Sequence, residues 1–176
     1  MSARTVELKA LDLWVLMSNV GTAEEAMQWR AKAGNGLRAY SASELTPGKE
    51  WQRLECIQSL AGLSAGEPVN FHYVVEADVL PENDAQLNAW YQDEHLPGLA
   101  SVPGTIRAAR YRRTHPATGL PKYYACYDLV SLDVTKTAPW LAVRHTAWSD
   151  IVRPMFLNTV RTEFIRANPH GGPSPL

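Results

Sequence analysis

The chain has 176 residues, 45% of them hydrophobic and 20% charged, which suits one globular domain or two small ones around a sizeable core. Its 17 basic and 18 acidic side chains leave a formal net charge of −1, giving no field that would draw nucleic acid or an anionic membrane surface. No apolar run approaches the roughly 20 residues of a membrane span, and residues 1–9 lack the apolar core of a signal peptide. Cys56 and Cys126 sit in separate strand-like stretches without CxxC spacing, so both are expected as small buried hydrophobes in a reducing compartment. These features predict a soluble cytoplasmic protein.

In chain order, residues 11–17 read as a strand. Residues 22–32 read as a helix, with Thr22 as N-cap and Glu25 three positions on, a capping box. Gly36-Leu37-Arg38-Ala39 opens another strand, and the turn Thr46-Pro47-Gly48-Lys49 leads into a strand over 51–60. Residues 61–66 form a small-residue linker. The second half is clearer. Phe71, Tyr73, Val75 and Ala77 alternate with His72, Val74, Glu76 and Asp78, predicting a strand over 69–79. Pro81-Glu82-Asn83-Asp84 starts a helix over 84–99, bent or ended by Pro97-Gly98. Thr105 to Arg113 and residues 122–132 are two strands of a hairpin across the turn at 114–119. Thr137-Ala138-Pro139 opens a second helix over 140–156, and residues 158–166 form a last strand. Residues 169–176, rich in Gly and Pro, are expected as a disordered tail.

That order, β-α-β-β-α-β, is an α+β ferredoxin-like unit spanning 67–168. Residues 1–66 read as a truncated, degenerate repeat of it, β-α-β-β, with Trp29 placed as Trp90 is later. Unrelated N-terminal decoration is the rival reading. One face of the complete unit's sheet is left bare, to be polar or partnered.

The richest stretch is Trp90-Tyr91-Gln92-Asp93-Glu94-His95-Leu96-Pro97. His95 and Tyr91, four apart, share a helix face, while Trp90, Glu94 and Pro97 share a neighbouring one. A histidine here can serve as general acid or base near neutral pH; equally, it can cap the helix or bond a backbone carbonyl. Asp93 and Glu94 suit a solvated edge, though either could orient the imidazole. His72, Glu76 and Asp78 share one strand face, and Arg110 on a neighbouring strand could pair with Glu76 or Asp78. A metal held by His72 and Glu76 is rejected, since four strand residues separate them by about 13 Å. Arg107, Arg110, Arg112 and Arg113 divide between two strand faces and make no phosphate patch. His145 and Trp148 suit helix packing. Nucleophile elbows, phosphate-cradling glycine loops and zinc spacings are missing from the sequence, which removes most support from hydrolase, kinase and Rossmann dehydrogenase readings.

Trp90…Glu94-His95-Leu96-Pro97, then Pro103-Gly104, then Ala108…Arg110-Tyr111, and Trp148 in the second helix, make the region from about 69 to 167 resemble the EthD-like family of the dimeric α+β barrel superfamily. The resemblance implies a ferredoxin-like fold, a homodimer joined through the bare sheet faces, and a pocket near His95. It carries His95 over as the catalytic position, with Trp90, Arg110 and Tyr111 as substrate-binding neighbours; Tyr91 and His72, from the spacing above, join the substrate-binding set, and no metal is expected. Members include cofactor-free monooxygenases, polyketide cyclases, lactone isomerases and haem-binding enzymes. The implied function is therefore a small cofactor-free enzyme acting by proton transfer on an aromatic, polyketide-like or other hydrophobic acid. A non-catalytic barrel enclosing a small hydrophobic ligand, or a haem enzyme using His95, His72 or His145 as axial ligand, are the alternatives, so whether the chain is an enzyme stays open at this point. The extra N-terminal strands leave two ways to close a barrel, within one chain or between two.

Overall fold

The computed structural model describes residues 13–18, 27–33, 37–41, 52–115 and 119–167. Four strands come first, β1 (Leu13–Ser18), β2 (Met27–Ala31), β3 (Leu37–Ser41) and β4 (Gln52–Ala61). Met27–Ala31 corrects the predicted helix over 22–32. The extended chain buries Trp29 completely and stacks it on His72, with ring centroids 4.9 Å apart, a tertiary gain that exceeds the small helix propensities of this stretch. The Thr22–Glu25 capping box, the turn at 46–49 and the tail at 169–176 lie outside the described residues.

The second half keeps the predicted order. β5 (Phe71–Asp78) leads into α1 (Asp84–Trp90), a π-helical turn (Tyr91–His95) and α2 (Leu96–Ala100); β6 (Thr105–Arg113) and β7 (Tyr123–Leu129) follow. Where one helix over 140–156 was expected there are two short ones, α3 (Ala138–Arg144) and α4 (Ala147–Val152). The break has a local cause. His145 leaves helical geometry at φ −123° and ψ 35°, and Thr146 caps a new start by accepting a hydrogen bond from Ser149 N–H. β8 (Leu157–Arg166) completes the order.

The strands close a barrel in the sequence β1-β3-β2-β8-β5-β7-β6-β4, with β4 returning to β1. Every pairing is antiparallel. Within each half the strands lie in the same relative order, β4-β1-β3-β2 beside β8-β5-β7-β6, the second being the ferredoxin-like arrangement. The bare face of the second half thus meets the first half of its own chain. Of the two closures that the sequence left open, the barrel closes within one chain, so its sheet needs no second copy to complete it.

Strand alternation sorts side chains to two faces. Val74, Ala109, Tyr111, Tyr124, Cys126 and Phe164 point into the barrel with Trp29 and Leu54, filling an interior of the width that eight strands leave. The opposite face of the second half carries Ala108, Tyr123, Ala125, Tyr127 and Leu129, covered by Leu87, Trp90, Leu96, Leu99 and Trp140 from the helices. Burial pushes the Cys126 thiol up to about 12, so it is an inert core residue. Among the described residues no helix is long and apolar enough to cross a membrane.

Candidate functional site

The site begins with a defect in a helix. Pro97 has no N–H to give the Asp93 carbonyl and its ring would crowd that oxygen. The turn before it widens, and Leu96 N–H bonds the Tyr91 carbonyl five residues back. Widening brings residues five apart onto one face. The Trp90 and His95 rings therefore stack at 4.0 Å and 19°, while Tyr91 meets His95 edge-on at 5.3 Å. Gly98 lets this helix approach α3, since a Cβ there would stand 2.8 Å from Val143 Cγ1. The Val143 backbone carbonyl lies beside the imidazole of His95 and favours its protonated form. His95 Nδ1 is buried with no hydrogen-bond partner. The ring borders a cavity. Glu94 takes no part, because its carboxylate accepts from Thr146 Oγ1 at 2.6 Å, and Asp93 is exposed.

The cavity lies between the helices and the outer sheet face and is partly open to solvent. Tyr73, Val75 and Tyr127 form its floor, Trp90, Tyr91, His95 and Leu99 one wall, and Trp140 and Phe156 another. Arg144, Arg153 and Arg161 also line it. Its walls are mostly aromatic, which suits a flat ring. Burial first, then the Arg144 and Arg153 charges, depress His95 from 6.5 to about 3, so the imidazole is neutral. Burial raises Tyr91 to about 12 against the pull of Arg110.

Of the sequence-predicted set, His95, Trp90 and Tyr91 meet at this cavity. Arg110 stands behind it. Its guanidinium is sandwiched between the Tyr91 ring at 4.3 Å and the Tyr123 ring at 4.6 Å, and Nη1 donates to Asn88 Oδ1 at 2.7 Å. The predicted pairing of Arg110 with Glu76 or Asp78 does not form, since β7 separates β6 from β5 and Arg110 faces the helices. Glu76 instead pairs with Arg38 at 3.1 Å, and Asp78 accepts from the Lys122 N–H.

Tyr111 and His72 lie on the other face, inside the barrel. His72 Nδ1 and Arg107 Nε both bond Asp128, at 2.8 and 3.0 Å, and Arg107 Nη1 donates to Tyr111 Oη at 3.3 Å. Burial would raise Asp128, but Arg107 and His72 hold it below the ordinary carboxylate value. Burial lowers His72 despite the carboxylate beside it. Sequence reading missed Arg144, Arg153 and Arg161, which come from three elements and converge only in three dimensions. Among the described residues no cluster of three or more His, Cys, Asp or Glu side chains could hold a metal ion.

For a haem, His95 offers Nδ1, a ring nitrogen without a hydrogen-bond partner. The ring carrying it is buried and stacked flat on Trp90, so a tetrapyrrole reaches it only if the helices part.

No family model matches the chain, and no curated protein does. Solved structures do match. A haem-degrading enzyme from Listeria monocytogenes shares 10% identity at a TM-score of 0.57 over 88% of this chain and 99% of its own. An anthrone oxidase-like protein shares 13% at 0.58, covering 93% and 94%. A ferredoxin-fold protein related to antibiotic biosynthesis monooxygenases, also from L. monocytogenes, shares 10% at 0.58, covering 88% and 93%. At such identities the likeness is one of fold, and by fold the chain is similar to ferredoxin-fold proteins.

Proposed function

We propose that the chain is a small enzyme of isomerase, cyclase or monooxygenase type that acts by proton transfer on an aromatic, polyketide-like or other hydrophobic acid, with His95 as the shuttle. The observation that carries this reading is the bare Nδ1 of a neutral imidazole on an aromatic-lined cavity. Within the fold, the Trp90…Glu94-His95-Leu96-Pro97 pattern is what supports an EthD-like assignment. In the simplest cycle Nδ1 takes a proton from a carbon next to a substrate carbonyl. The C–H electron pair becomes the C=C of an enolate, and the imidazolium returns the proton to another atom. Trp90 and Tyr91 pack the substrate ring, and Arg110 fixes Tyr91 from behind. Tyr111 and His72 have no part in this proposal because they face the barrel interior. Excluding water and orienting the reacting carbon do the remaining work, with no metal required of the residues named.

A second reading, a non-catalytic ligand-binding barrel, draws on one specific observation: an imidazole depressed to about 3 is a weak base. Deuterium exchange separates the two. In D2O the protein should speed deuterium incorporation at the acidic carbon of aryl keto acids, followed by NMR, and His95→Gln should lose roughly 100-fold or more of that rate. Binding without exchange supports the binder, and exchange that survives His95→Gln removes His95 as the shuttle. A Soret band in the purified protein would favour the haem alternative.

A further inference from the structure

We propose that Arg144, Arg153 and Arg161 form the anion-binding end of the His95 cavity, and that its ligand is a flat aromatic molecule bearing a carboxylate. This rests on the cavity reading above and not on any particular reaction. The three arginines come from the end of α3, the turn after α4 and the middle of β8, yet line one cavity. Among the described residues no carboxylate pairs with any of them. The acids nearby are engaged elsewhere: Glu94 accepts from Thr146, and Glu163 is held by Lys32 at 3.1 Å. Cations elsewhere in the chain are treated differently, as Arg107 is with Asp128, Arg112 with Glu55 and Lys122 with Asp84. Gathering three like charges around a partly enclosed space costs free energy that an anion recovers. Burial, then the fields of Arg144 and Arg161, depress Arg153, which registers that mutual repulsion.

A second observation points to a ligand independently. Trp90 Nε1 and His95 Nδ1 are buried without partners, and both residues line the same cavity. One can donate to a ligand oxygen and the other can accept. The aromatic walls take the ring and the guanidinium groups take the ionised oxygens, which is a task that suits arginine geometry. Filling the anion end would also cancel the Arg144 and Arg153 fields at His95 and so strengthen it as a base when substrate is bound. The other charged or titratable groups around that ring are Tyr91, Glu94, Arg110, Arg161, Tyr73 and Tyr127.

The test compares naphthoate with the matching naphthalenemethanol, titrated against tryptophan fluorescence or by calorimetry. Naphthoate should bind at least roughly tenfold more tightly, with a preference that shrinks as salt is added. Arg144→Gln and Arg161→Gln should each cut that preference several-fold and leave naphthalenemethanol affinity unchanged, which also reports an intact fold. Arg112→Gln, at an exposed pair on β6, should change neither. Equal binding of the two probes, or a preference that survives the Arg144/Arg161 double variant, overturns the anion site while leaving the cavity reading in place. Failure of both probes to bind overturns both.

Discussion

A π turn aligns side chains five positions apart, and here the aligned pair is Trp90 and His95. Stacking shields one face of the imidazole, the Val143 carbonyl lies beside it, and Nδ1 is left without a partner. These features depend on how closely the helix approaches α3, and that distance is set at Gly98. An alanine there would gain about 1 kcal/mol of helix propensity. Its methyl would meet the stiff, β-branched Val143 at 2.8 Å, an overpacking that costs roughly 1–3 kcal/mol. Gly98→Ala should therefore be destabilised by no more than about 2 kcal/mol in urea unfolding and should weaken naphthoate binding, because α3 is pushed away from His95. Unchanged binding in a destabilised Gly98→Ala protein would show that the approach supports the fold alone.

Between elements, the second half was legible because its strands alternate and its turns carry Pro and Gly. The helix break at His145 was legible too, in the Thr146-x-x-Ser149 cap that the expectation of one long helix passed over. Strand period two also separates Arg110 from Tyr111, so placing both in one site ran against the alternation that defined the strand. The strand at Met27–Ala31 was not legible, for its stability comes from β3, β8 and the His72 ring rather than from its own residues. The arginine cluster was hidden for the same reason, being a product of tertiary convergence. Inside the barrel, Asp128 ties β5 to β6 through β7 by accepting from His72 and Arg107. Asp128→Asn leaves the Arg107 charge buried without its counter-ion and should cost about 3–5 kcal/mol by urea denaturation. A loss below about 1 kcal/mol would mean that water reaches this network.

The whole molecule joins two halves into one barrel and keeps its buried histidines neutral. His95 is depressed from 6.5 to about 3, and His72 and Asp128 are also held below their ordinary values. The unfolded chain takes up protons that the native state refuses. The histidine contribution is therefore complete above pH 6.5 and is lost as pH falls towards 3. Between pH 7 and pH 4 stability should drop by a few kcal/mol in urea titrations, and His95→Gln should flatten that slope. A chain equally stable at both values would contradict the neutral, buried histidines. The proposed site is His95 on the helix side of the sheet and not His72 in the barrel, and histidine-selective NMR of the five imidazoles separates the two. Without ligand, the His95 resonance should show neutral imidazole down to pH 5; on adding naphthoate it should shift while His72 stays fixed. A His95 signal that titrates near 6.5, or a naphthoate response confined to His72, would contradict the account.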